Sequence, residues 1–120
     1  MQVLFLIGRI LLGGYFVYNG YNHFKNLNNM TGYAKMKGVP AAKFFVALAG
    51  LMFALGGLGV IFNRFAILGM CLIVLALIPI TIMMHSFWKE TDPNARMMER
   101  IQFTKNLGLL GAIILLISIG

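Results

Sequence analysis

The chain has 120 residues, of which 60% are apolar and 11% charged, and its formal net charge is +7. Soluble globular domains are about 25% charged and about 45–50% apolar, so this composition excludes an ordinary soluble domain and indicates a protein of the lipid bilayer. The basic residues are spread thinly between apolar runs, which argues against nucleic-acid binding and is typical of loops beside membrane spans.

Four apolar segments are long enough to cross a bilayer, which takes about 20 residues in a helix. No linker rich in Gly, Ser or Pro separates them, so one transmembrane domain over residues 1–120 is predicted. The segments lack the alternation of a β-barrel and are therefore predicted to be helices, which satisfy their own backbone hydrogen bonds. The predicted fold is an all-α, four-transmembrane-helix bundle with spans at about 3–24, 42–62, 65–87 and 102–120.

The first span carries Arg9, Asn19 and His23 among leucines and valines. At about 100° per residue the three side chains fall within one stripe of the helix. Polar residues in a span usually face the interior of a bundle, so Asn19 and His23 are candidate ligand-binding residues. Hydrogen bonding between helices is the alternative for Asn19. Arg9 is a candidate contact for an anion or a lipid headgroup, with snorkelling to the membrane surface as the alternative.

The three connections differ in length and character. In the first connection, residues 25–41, Thr31 is predicted to cap a short interfacial helix that stops near Gly38. The pair Asn63-Arg64 predicts a tight turn between spans two and three. In the third connection Asp92-Pro93 predicts an N-cap and the first position of a second short helix, which can continue into span four.

The remaining polar residues lie at the end of span three and the start of span four. A chain that crosses the membrane four times brings the ends of spans one and three to the same face as the starts of spans two and four. The polar side chains are therefore predicted to converge at one membrane face. An interfacial tryptophan belt is the alternative for the tryptophan. The further candidate ligand-binding residues are His85, Phe87, Trp88, Gln102, Lys105 and Asn106.

Two histidines on different spans raise the question of a bis-histidine haem b. Both His23 and His85 lie at predicted helix ends, where a haem would be half in water, so haem is disfavoured. No Asp or Glu falls inside a predicted span, which argues against a proton relay or cation site built on buried carboxylates. No catalytic residue and no metal site is predicted, and enzymatic activity is left open.

The distribution of Lys and Arg predicts how the chain is oriented. Eight basic residues lie in or beside the first and third connections, and two lie on the other side. The positive-inside rule therefore places those two connections in the cytoplasm, with the chain integral to the cytoplasmic (inner) membrane.

In this order and spacing, several short motifs resemble the DoxX family of bacterial membrane proteins along nearly the whole chain. They are Arg9–Gly13, Asn19–Phe24, Gly38–Pro40, Ala49-Gly50 with Gly56-Gly57, His85–Trp88 and Gln102–Leu107. One departure is Phe53, where many relatives carry a glutamate. The resemblance implies a four-helix integral membrane protein. The family name comes from a subunit of a thiosulfate:quinone oxidoreductase, and some members are linked to oxidative-stress membrane complexes.

The first functional hypothesis is a redox-associated subunit that binds a quinone-like or other lipophilic ligand at the polar membrane face. His85 with Asn106 or Lys105 would hydrogen-bond the ring oxygens, and Phe87 and Trp88 would stack against the ring.

Two alternatives belong to other classes of protein. One is a non-catalytic assembly or scaffold subunit, which would dock membrane or redox partner proteins. The other is a small anion carrier that uses Arg9 and Lys105, and that carrier would require a homo-oligomer because four spans hardly enclose a pathway.

Overall fold

The computed structural model describes residues 2–119, which form helices and their connections without any strand. Four of the helices are long and apolar enough to cross a membrane, which confirms the predicted all-helical class with four candidate spans. In chain order the elements are α1 (Gln2–Lys25), α2 (Leu27–Met36), α3 (Ala42–Phe62), α4 (Ala66–Met84), a single 3-10 turn (Phe87–Lys89) and α5 (Pro93–Ile119).

The four long helices pack in the order α1, α3, α4, α5, and α2 lies against α3. Within residues 2–119, α1 and α5 are not a closely packed pair. The long helices therefore pack as a row with α1 and α5 at its ends. The backbones of these two end helices lie further apart than those of neighbouring helices in the row.

A seam of glycines holds α1 against α3. A Cβ atom added at Gly13 would lie 2.6 Å from the carbonyl oxygen of Gly57, and one added at Gly57 would lie 2.5 Å from the oxygen of Gly13. Two helical turns further along α1, a Cβ added at Gly20 would lie 2.5 Å from the carbonyl oxygen of Gly50. Lipid offers no hydrophobic drive for helix association, so van der Waals contact between closely packed backbones is one of the main attractions between such helices.

The apolar core joins all four long helices. Phe16 of α1, Ile73 of α4 and Ile113 of α5 are almost completely buried. Phe53 of α3 completes the cluster, and its ring centroid lies 5.6 Å from that of Phe16. The core therefore fixes the relative positions of the helices that carry the polar residues.

Helix α2 starts earlier than the sequence suggested. Asn26 continues the hydrogen-bonding of α1 by donating its backbone N–H to Asn22, and α2 begins at the next residue. Thr31 therefore lies inside the helix, with its hydroxyl oxygen buried and without a hydrogen-bond partner among residues 2–119, and its predicted role as N-cap is wrong. The helix does end where expected, since Gly38 has a φ of 82°, which glycine adopts without strain.

The third connection does not contain the separate short α-helix that was predicted. It contains one 3-10 turn, and the helix that begins at Pro93 is continuous with the last long helix. The predicted cap is confirmed, because the backbone N–H of Ala95 donates to Oδ2 of Asp92 at 3.0 Å. A separate short helix in this connection is not observed among residues 2–119.

Removal of this cap should have a modest effect on stability. Asp92→Ala is expected to lower the free energy of unfolding by about 1 kcal/mol, because an orphan backbone N–H loses its acceptor. Asp92→Asn retains an acceptor and should change the free energy of unfolding much less. Unfolding by SDS in mixed micelles measures both variants, and equal destabilisation by Ala and Asn would show that the charge of Asp92 matters and its capping bond does not.

Candidate ligand-binding site

A cavity of about 720 Å³ lies among the helices and is lined by residues from α1 to α5. This volume falls in the usual range of ligand pockets, about 300–1,000 Å³. Most of the wall is apolar, with Phe16, Met52 and Phe53 among its members. Of the residues predicted to bind a ligand, the cavity wall includes Asn19, His23, His85, Gln102, Lys105 and Asn106.

On the α1 side, His23 is buried and held by the backbone of α3. Its Nδ1 lies 2.9 Å from the carbonyl oxygen of Val46. Gly50 makes room for the ring, since a Cβ there would lie 2.5 Å from the Cβ of His23. One turn earlier, Asn19 donates its side-chain N–H to the carbonyl oxygen of Tyr15 in its own helix at 3.1 Å.

On the α4 side, the helix ends at Met84, and His85 already departs from helical geometry with a φ of −119°. Trp88 is therefore not one helical turn beyond His85 on a continuous helix. Phe87 and Trp88 pack instead against Phe103 of α5, with ring centroids 5.3 and 5.6 Å from it. These two aromatic residues lie outside the cavity wall.

Beside the cavity lies a group of charged and polar residues, called here the Glu99 cluster: Tyr33, Lys37, His85, Glu90 and Glu99. Oε2 of the buried Glu99 accepts hydrogen bonds from the Tyr33 hydroxyl and from Nζ of Lys37, both at 2.7 Å. Oε1 of Glu99 lies 3.4 Å from Nδ1 of His85. Lys37 also donates to Glu90 at 2.7 Å. The cluster thus ties α2 and the third connection to α5.

The surroundings fix the charge state of two members of this cluster. Burial lowers the pKa of Lys37, but its hydrogen bonds to Glu90 and Glu99 outweigh burial, and the net effect raises the pKa. Burial, with the hydrogen bond to Glu99, raises the pKa of Tyr33 to about 12. At neutral pH Lys37 is therefore a cation and Tyr33 a neutral hydroxyl, and both act as donors to Glu99.

The sequence interpretation missed Glu99 and its partners Tyr33 and Lys37. A signal was present, because Glu99, Gln102 and Asn106 follow the i, i+3, i+7 spacing of one helix face. Tyr33 and Lys37 likewise stand at i and i+4. The span was predicted to start at about residue 102, so Glu99 fell in the connection before it and its place on a helix face was not considered.

Arg9 lies away from the cavity. Its Nη2 donates to the carbonyl oxygen of Ile61 at 3.3 Å, near the end of α3, and its guanidinium stacks over Phe5. His23 contacts Val46 near the start of the same helix. His23 is fourteen positions after Arg9, which corresponds to about 21 Å along α1 at a rise of 1.5 Å per residue. The two groups therefore occupy opposite ends of the α1–α3 contact.

Four helices of membrane-spanning length around an apolar cavity define an integral multi-pass membrane protein. The family model of DoxX matches residues 4–86, which run from α1 to the residue after His85, and the chain belongs to the DoxX family. The match stops before Glu99 and the polar face of α5. No curated protein and no solved structure matches the chain significantly.

Proposed function

We propose that this protein binds a lipophilic ring ligand of the quinone class in the cavity, as a redox-associated subunit of the cytoplasmic membrane. The observation that carries the proposal is the composition of the cavity wall. Two imidazoles, four side-chain amides, two tyrosines and an ammonium group line a space of about 720 Å³ that is otherwise largely apolar. Such a wall suits a ligand with an oxygen-bearing head and a hydrocarbon tail.

The polar groups of α5 supply hydrogen bonds to the head. Lys105 donates to Oε1 of Gln102 at 2.8 Å, and an ammonium group has two further protons for a ligand oxygen. Asn106 is buried one turn beyond Gln102, on the same helix face as Gln102. In this proposal Lys105 and Asn106 bind the ring oxygens, while the tail lies among the leucines and isoleucines of the bundle.

The wider spacing between α1 and α5 supplies an entry route from lipid in this proposal. These helices are the two ends of the row and are not closely packed against each other within residues 2–119. A ligand dissolved in the bilayer then reaches the cavity sideways, without passing through water. We place α2 and the Glu99 cluster at the cytoplasmic surface, since the basic residues concentrate in the connections that carry them.

A binding titration tests the proposal. The purified protein in detergent is titrated with decylubiquinone, a quinone with a short tail, by isothermal titration calorimetry. Saturable binding is expected, and Asn106→Leu should weaken it by about tenfold, because it removes a hydrogen-bonding group from the largely apolar cavity wall.

Thr104→Ala is the matched control on the same helix. Thr104 is exposed, and its hydroxyl bonds only carbonyl oxygens of its own helix, so binding should be unchanged. Absence of saturable binding, or equal weakening by the control, would reject the quinone-class ligand. A stoichiometric protein partner recovered from native membranes without any small molecule would then favour the assembly-subunit alternative.

A further inference from the structure

Both histidines of the cavity have the same ring nitrogen occupied. Nδ1 of His23 lies 2.9 Å from the carbonyl oxygen of Val46. Nδ1 of His85 lies 3.4 Å from Oε1 of Glu99. In each case the partner on the protein is an oxygen, and neither Nε2 atom has a hydrogen-bond partner within residues 2–119.

Both of these oxygens act as acceptors. A backbone carbonyl has no proton to donate. The other oxygen of Glu99, Oε2, accepts hydrogen bonds from Nζ of Lys37 at 2.7 Å and from the Tyr33 hydroxyl. A carboxylate in contact with a cation is ionised, and an ionised carboxylate only accepts.

The tautomer of each ring follows from this arrangement. A neutral imidazole has one N–H, and an acceptor at Nδ1 places the proton there. Nε2 of His23 and Nε2 of His85 are then bare lone pairs. Two hydrogen-bond acceptors thus belong to imidazoles that line one largely apolar cavity.

We propose that the cavity selects a ring ligand whose oxygen carries a hydrogen, a phenol or quinol, over the corresponding carbonyl compound. This inference rests on the proposed function and deepens it. A hydroxyl donates its proton to Nε2, whereas a carbonyl oxygen would meet Nε2 lone pair to lone pair. Glu99 is a positioning residue, because it acts on the ligand only through His85.

The charges near His85 agree with this assignment. Lys105 on α5 and Lys37 on α2 are the cations in its surroundings, and Glu99 is the anion. Lys37 is engaged by Glu90 and Glu99, so Lys105 is the cation that lines the cavity. A ligand hydroxyl can accept a hydrogen bond from Lys105 and donate one to Nε2 of His85. A carbonyl oxygen can make only the hydrogen bond from Lys105.

The tautomers are measured directly by ¹⁵N NMR. The chain contains two histidines, so a sample labelled at histidine gives two assignable ring systems. The measurement is made at about pH 8, above the ordinary imidazole pKa of about 6.5. We expect protonated Nδ1 and unprotonated Nε2 in both rings. A proton on Nε2 of His85 overturns the proposal without any reference to ligand binding.

The preference itself is measured with decylubiquinol and decylubiquinone under anaerobic conditions. We expect the quinol to bind about tenfold more tightly, as one additional hydrogen bond in a largely apolar site would give. Glu99→Gln should reduce the ratio of the two affinities by at least about threefold, since a side-chain amide can donate to Nδ1 as well as accept from it.

Glu90→Gln is the matched control for this ratio. It removes the same charge from the Glu99 cluster but leaves the contact between Glu99 and His85 in place, so the ratio should be retained. Saturable binding of both ligands with equal affinity would overturn the selectivity and leave the proposed function standing. Binding of neither ligand would overturn the proposed function and the selectivity together.

Discussion

Replacing Gly13 with alanine is expected to lower the free energy of unfolding by about 1–3 kcal/mol, the usual effect of overpacking a tight interior. The new methyl group would lie 2.6 Å from the backbone oxygen of Gly57 and 2.6 Å from a side-chain carbon of Ile61. The backbone oxygen cannot rotate away, so α1 must move off α3. Unfolding by SDS in mixed micelles measures the loss.

Gly14→Ala is the matched control, one residue along the same helix. A Cβ at Gly14 meets nothing within 4 Å, so the substitution should be neutral or slightly stabilising, as alanine is the better helix former. Gly57→Ala approaches the same contact from α3, where the methyl would lie 2.5 Å from the oxygen of Gly13. Equal stability of the Gly13 and Gly14 variants would mean that the glycine seam does not hold the two helices together.

The same seam positions the ligand site. Gly50 lies against the Cβ of His23, so the approach of α3 to α1 determines where that imidazole sits in the cavity. Once α1 lies this close to α3, the carbonyl oxygen of Val46 comes within 2.9 Å of Nδ1 of His23. Helix packing and ligand chemistry are therefore coupled through one interface.

The sequence was sufficient for features that depend on local chemistry. Long apolar runs define the four candidate spans, because a helix must satisfy its own backbone in lipid. Asp92-Pro93 defines the start of α5, since capping involves only neighbouring residues. Gly38 ends α2 for the same kind of reason, a backbone angle that glycine adopts freely.

Features that depend on which helices contact each other could not be predicted from the sequence. Gly13 and Gly14 are equivalent in the sequence, yet one contacts α3 and the other meets open space. The displacement of Phe87 and Trp88 from the cavity follows from the early end of α4 and their packing on Phe103. The contacts of Glu99 with Tyr33 and Lys37 were also beyond prediction, because these two residues lie far from it in the chain and meet it only through tertiary packing.

Glu99→Ala is expected to release α2 from α5 and to lower the free energy of unfolding by about 3 kcal/mol. The substitution takes away the shared acceptor of Tyr33, Lys37 and His85. Breaking a buried ion pair on one side typically costs about 3–5 kcal/mol, and the low end applies here because Lys37 keeps Glu90 as a partner. Hydrogen–deuterium exchange should show faster exchange of the backbone amides of α2, with α3 unchanged.

A double substitution separates the ion pair from simple loss of packing. Lys37→Met combined with Glu99→Leu removes both charges and fills the space, so it should recover most of the stability that Glu99→Ala loses. Asp92→Asn is the charge control, since Asp92 is exposed and its replacement still caps α5. If α2 exchanges no faster in Glu99→Ala than in Asp92→Asn, then α2 is held by Ala34 against Ala42 and Val46 alone, and the Glu99 cluster serves only to orient His85.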